Sequence, residues 1–144
     1  MPRDTTEGLN ESQSIRDFRL PCADEDYLAG LAIGWDCVRD NGSSWLFLSK
    51  WQLPDGYNVK ESALALQIPD NYADTQLDMV YFREHLARRD GKAIGGLSPQ
   101  PIKGQSWQRW SRHRSTANPW RVGVDDVASH LALVDEWLCR EFLK

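Results

Sequence analysis

Between Gly104 and Gly123 the chain reads GQSWQRWSRHRSTANPWRVG, and this is where residue types able to do chemistry are densest. Trp107, Trp110 and Trp120, three of the seven tryptophans, stand among Arg109, Arg112, Arg114 and Arg121 with no Asp or Glu between them. Rigid aromatic rings alternating with cations around a Ser-Arg-His-Arg run describe a polar site with apolar walls. A serine hydroxyl is barely ionised near neutral pH and becomes a nucleophile only beside a base, which an imidazole can supply. Residues two apart in extended backbone point to one side, so Ser111 and His113 share a face if the stretch is not helical. On a helix they would diverge by about 200°.

The totals bound what such a site can belong to. At 144 residues, with 41% hydrophobic and 26% charged, the chain suits one soluble globular domain, and two domains would both be undersized. No run approaches the roughly 18 apolar residues of a membrane helix, and the polar start MPRDTTEGLNESQS lacks the apolar centre of a secretory signal. A cytoplasmic location is the expectation. Cys22, Cys37 and Cys139 are odd in number and lack metal-ligand spacing, so neither a disulfide framework nor a zinc site is expected. His85, His113 and His130 likewise show no short ligand spacing; no metal and no cofactor are expected. A Trp/Arg strip is also the recipe for stacking single-stranded nucleic acid, but a net charge of −4 weighs against it.

Positioning the strip requires a scaffold, and the earlier chain supplies one. Residues 1–19 are expected to form a flexible arm, because most of them are polar and cannot offset their ordering entropy. A short helix is expected over 23–30. Alternation at Ile33, Trp35 and Cys37 predicts a strand, Asn41-Gly42 a tight hairpin turn, and Trp45–Trp51 the return strand. After the turn Leu53-Pro54-Asp55-Gly56-Tyr57, Ser62–Ile68 reads as a third strand with Leu64, Leu66 and Ile68 on one face, and Asp78–Phe82 as a short fourth. From Arg83 to Gln108 the periodicity lapses among six Gly and Pro residues, which predicts a long irregular segment. Helical spacing of Val127, Leu131, Val134, Leu138 and Phe142 follows, with Asp125 as the expected N-cap and His130 beside Asp126 on an exposed face. The expectation is therefore an α+β fold: a four-stranded antiparallel meander, an irregular site-bearing segment, and a C-terminal helix packed on the sheet.

In this order, LPDGY at Leu53–Tyr57, IPDNY at Ile68–Tyr72, LDMVYF at Leu77–Phe82, the Trp107–His113 run, and Trp120 with Gly123 ahead of the last helix resemble the ubiquitin-conjugating (UBC) superfamily. The resemblance is greatest to its prokaryotic family E, over residues 20–144 taken as one UBC-like domain. It implies a carrier that accepts a ubiquitin-like modifier from an adenylating activating enzyme and transfers it to an amine. It also implies a bacterial system whose modifier is a ubiquitin-like or multi-ubiquitin-domain protein, with a metal-dependent deconjugating protease. The eukaryotic enzymes place His-Pro-Asn and then a nucleophilic cysteine after the fourth strand; this chain has neither there. Tyr72-Ala73 replaces a Tyr-Pro, and the reduced first helix implies a different docking of the activating enzyme.

Counting back from Trp120, as the resemblance suggests, brings the nucleophile's place to Ser111–His113. Ser111 is then the candidate carrier, holding the modifier as an oxyester instead of a thioester, with His113 as base. Arg112, Arg114 and Asn118 are candidate oxyanion donors, and Trp107, Trp110 and Trp120 candidate walls that exclude water. The alternative is a UBC-like adaptor that binds a ubiquitin-like protein or its activating enzyme without chemistry.

Overall fold

The computed structural model describes residues 14–144. Strands β1 (Trp35–Asp40) and β2 (Ser43–Gln52) pair antiparallel around Asn41 and Gly42, whose φ of 53° and 82° make the tight turn that Asn-Gly predicts. β3 (Glu61–Ile68) pairs with β2 and the short β4 (Val80–Phe82) with β3, completing the expected meander.

The sheet has six strands, not four. Within the segment expected to be irregular, β5 (Leu97–Ile102) and β6 (Gln105–Trp110) form a second hairpin, and the order is β1-β2-β3-β4-β6-β5. Pro99 and Pro101, which read as breakers, lie on the outermost strand, where an outward residue needs no N–H for pairing. Lys103 and Gly104, at φ 53° and 77°, make its turn.

Strand alternation divides the side chains into two cores. Towards the helices, Leu46, Leu48, Leu64, Leu66, Phe82 and Trp110 pack with Leu28, Val127, Leu131, Val134 and Leu138. On the other face Trp45, Ala65, Tyr81, Ile102 and Trp107 form a second buried cluster. Here Phe47 stacks on Trp107 with centroids 5.2 Å apart, and Trp45 meets Tyr81 edge-on at 4.9 Å. The Lys103 amide donates to Asp40 Oδ2 at 2.9 Å, joining the tips of the first and last hairpins.

Of the arm expected over 1–19, residues 14–19 are laid along the edge of β1: the Cys37 amide donates to the Ile15 carbonyl and the Asp17 amide to the Cys37 carbonyl, both at 2.8 Å. A strand edge offers unpaired backbone groups, and this segment satisfies some of them. Residues 1–13 lie outside the described part of the chain.

Helix α1 (Cys22–Gly30) matches the expected short helix, and buried Asp24 ties it to the rest. One Asp24 oxygen accepts from the Val127 amide at 3.1 Å and the other from the Tyr72 hydroxyl at 2.7 Å. Helix α2 (Val127–Arg140) starts one residue later than expected. Its N-cap is Asp126, whose carboxylate accepts from the Ser129 amide while the Ser129 hydroxyl accepts from the Asp126 amide, each at 2.9 Å. Asp125 instead accepts from the Arg121 amide at 2.7 Å and closes the preceding loop. His130, expected on an exposed face, is fully buried. A 3₁₀ turn, Glu141–Leu143, ends the fold.

Candidate active site

Where β6 ends, residues 111–115 are neither helix nor strand, and the Arg112 amide donates to the Trp110 carbonyl at 2.9 Å, a tight turn centred on Ser111 and not the extended backbone in which Ser111 and His113 would share a side. The first residues of this segment are pinned. The Ser111 amide donates to the Gly96 carbonyl at 2.9 Å, and the Met79 amide to the Arg112 carbonyl at 3.1 Å. Gly96 is obligatory here: its φ is +81°, and a Cβ would stand 3.1 Å from the Ser111 carbonyl oxygen. Ser111 itself is partly buried; among the described residues no hydrogen bond joins its hydroxyl to His113.

His113 has a different partner. Its Nδ1 lies 2.7 Å from Asp78 Oδ2, while the imidazole is 60% exposed. With a proton on Nδ1 donated to the carboxylate, the Nε2 lone pair is free to accept another. The other oxygen of Asp78 is buried without a partner. Nothing local in the sequence marks Asp78, which is 35 residues from His113 and precedes β4 by two; it came together with the strip only through the β4–β6 pairing.

The two arginines expected as oxyanion donors each make hydrogen bonds and stack on a tryptophan. Arg114 donates from Nε to the Leu77 carbonyl at 3.3 Å, its Nη2 lies 3.2 Å from His130 Nδ1, and its guanidinium stacks over Trp120 at 4.8 Å. His130 Nε2 reaches the Met79 carbonyl at 2.9 Å, so this ring donates from Nε2 and accepts from Arg114. Burial, with Arg114 adding to it, pushes the His130 pKa down to about 4 and keeps the ring neutral. Arg112 stacks over Trp110 at 4.7 Å and donates to Glu141 at 3.0 Å. Glu141 is itself buried, with Arg88 on its other side at 3.6 Å. Arg112 and Arg114 thus fasten the loop to the body. Asn118 remains exposed, its backbone N–H donating to the Ser115 carbonyl at 3.0 Å.

The three tryptophans do not converge as walls. Trp107 faces the outer cluster, on the side of the sheet away from α2. Trp110 is buried in the helix-facing core with its Nε1 on the Gly95 carbonyl, and Trp120 is half-buried with its Nε1 on the Ala73 carbonyl. Three residues apart on one strand, Trp107 and Trp110 necessarily point to opposite faces.

A groove of about 670 Å³ lies between the segment and the C-terminal half of α2. Arg112, His113, Arg114, Ser115, Asn118 and Trp137 are among the residues that line it; Ser111 is not. Ser115, two residues beyond His113, is a hydroxyl that sequence reasoning passed over; its Oγ accepts from the Ala117 amide at 3.2 Å. No cysteine enters the segment. Cys37 is buried, and burial pushes its thiol up to about 11, which removes it as a nucleophile; Cys22 and Cys139 are exposed on the helices. Among the described residues no helix is long and apolar enough to cross a membrane.

Residues 20–141 match the family model described as prokaryotic E2 family E. No curated protein and no solved structure matches the chain.

Proposed function

The chain belongs to prokaryotic E2 family E, and from that premise we propose that it is a carrier which takes a ubiquitin-like modifier from an activating enzyme as a serine oxyester and passes it to an amine. The observation that carries this reading is His113, an exposed imidazole bound through Nδ1 by a carboxylate and flanked two residues away on each side by a serine, in irregular backbone. In the first step a serine Oγ attacks the activated C-terminal carbonyl of the modifier, His113 Nε2 takes the hydroxyl proton, and the activating group departs. In the second His113, having released its first proton to solvent, takes a proton from the amine as it attacks the ester carbonyl and returns it to the departing serine oxygen. Ser111 is the carrier in the first form of this reading, supported by its place relative to Trp120. A specific observation supports Ser115 instead: it shares the groove with His113. Asn118, in the same groove as Arg112 and Arg114, is a candidate donor to a developing oxyanion.

The test is reconstitution with a ubiquitin-like or multi-ubiquitin-domain protein, its adenylating enzyme and ATP, followed by intact-mass analysis. The expected product is an adduct that survives thiol reductant and is cleaved by hydroxylamine or alkali. Ser111→Ala and Ser115→Ala distinguish the two hydroxyls. An adduct that neither substitution, alone or combined, diminishes would sink the oxyester. Modifier binding without an adduct would leave the adaptor.

A further inference from the structure

We infer that Asp78 is a positioning residue: it fixes His113 in the Nδ1–H tautomer and aims the bare Nε2 outward as the base. Three observations meet here. The carboxylate–imidazole contact is short, 2.7 Å, and it joins the two partners' only shared atoms, since the second Asp78 oxygen is buried and unpartnered. A half-buried carboxylate with one partner has a strong demand for the donor proton, so the ring nitrogen facing it is the protonated one. The backbone around Asp78 is gripped on both sides by the strip it serves: the Leu77 carbonyl accepts from Arg114, the Met79 amide donates to the Arg112 carbonyl, and the Met79 carbonyl accepts from His130. Consecutive residues 77–79 are thus matched to consecutive residues 112–114, with His113 and Asp78 as the central pair.

This frame also explains why a buried, neutral histidine stands behind the site. His130 bridges Arg114 to the Met79 carbonyl, and only its neutral form can accept from a guanidinium. The two histidines of the site therefore hold opposite tautomers, His130 with its proton on Nε2 and His113 with its proton on Nδ1. One serves the frame and the other is left open to a reacting hydroxyl.

The test has two halves, of which only the kinetic one rests on the carrier reading. Nitrogen NMR of the histidine-labelled full chain at pH 8 should show His113 protonated at Nδ1 and bare at Nε2; a ring protonated at Nε2 overturns the inference. In Asp78→Asn the amide can donate to Nδ1, and the tautomer should shift towards Nε2–H. In ester formation Asp78→Asn should lower the maximal rate about 100-fold or more with the half-saturating concentration of the charged activating enzyme unchanged, and Asp78→Glu should recover part of it. Equal rates for wild type and Asp78→Asn, or a loss confined to half-saturation, overturn the inference. If the asparagine variant does not fold, the wild-type tautomer and the Asp78→Glu rate decide. A wild type that forms no ester yet shows the tautomer, and loses it in Asp78→Asn, sinks the carrier reading and supports the positioning role.

Discussion

On the outer face of the sheet Trp107 stacks on Phe47 beneath a hairpin whose tip is fastened to Asp40; on the helix side, Trp110 is buried and the chain that follows it places His113 against Asp78. Both regions are built from the same basic and aromatic strip. The outer one is held by apolar contact among Trp45, Ala65, Tyr81, Ile102 and Trp107 beside an open groove of about 470 Å³, and such contact stabilises without fixing any single polar atom. The inner one is closed by hydrogen bonds and cations stacked on rings, which order individual donors and acceptors at a smaller gain in burial. A residue of the first kind should therefore answer to stability measurements and one of the second to chemistry.

The comparison is easiest to break at Trp107. Trp107→Ala removes the ring that Phe47 stacks on and should cost roughly 3–5 kcal/mol, read by denaturant unfolding, while ester formation per folded molecule stays near wild type. A matching loss of ester formation in the folded fraction would mean that the two regions are not separable.

His130 carries a pH signature for the inner frame. Its folded pKa, about 4, lies below the ordinary histidine value of 6.5. The contribution of its neutral state is whole above pH 6.5 and is lost as pH falls towards 4, because the unfolded chain takes up the proton first. The loss should approach about 3 kcal/mol, and His130→Gln should flatten this part of the stability–pH curve.

His113→Ala sharpens the other side. The ring is exposed, so unfolding free energy should move by no more than about 0.5 kcal/mol, whereas ester formation should fall about 100-fold or more, measured by intact mass against time. The smallest effect is expected at the hairpin tip. Gly104→Ala places a side chain at φ +77°, and should destabilise by about 1–2 kcal/mol without changing the rate.

What was legible in the chain follows the range of each signal. The first hairpin was read correctly because Asn41-Gly42 determines its own turn, and the α2 stripe because helical period is a local property. The second hairpin was lost because Pro99 and Pro101 break a central strand and are harmless on an edge one; strand order decides which applies. The tryptophans were read as one wall because they are near in sequence, although the parity of β6 sends Trp107 and Trp110 apart. Arg112 and Arg114 read as candidate oxyanion donors, and their bonds to Glu141, Leu77 and His130 come from partners distant in the chain.

The order of residues by itself determined the α+β class, the first four strands, the last helix and the family. Those are consequences of short-range periodicity, turn chemistry and motif order. Only the tertiary structure decided which groups His113 works with. Insertion of β6 beside β4 aligned residues 112–114 with 77–79, supplied a carboxylate from 35 positions away, and left the groove on the side of Ser115. Strand pairing is non-local, and no spacing along the chain encodes it.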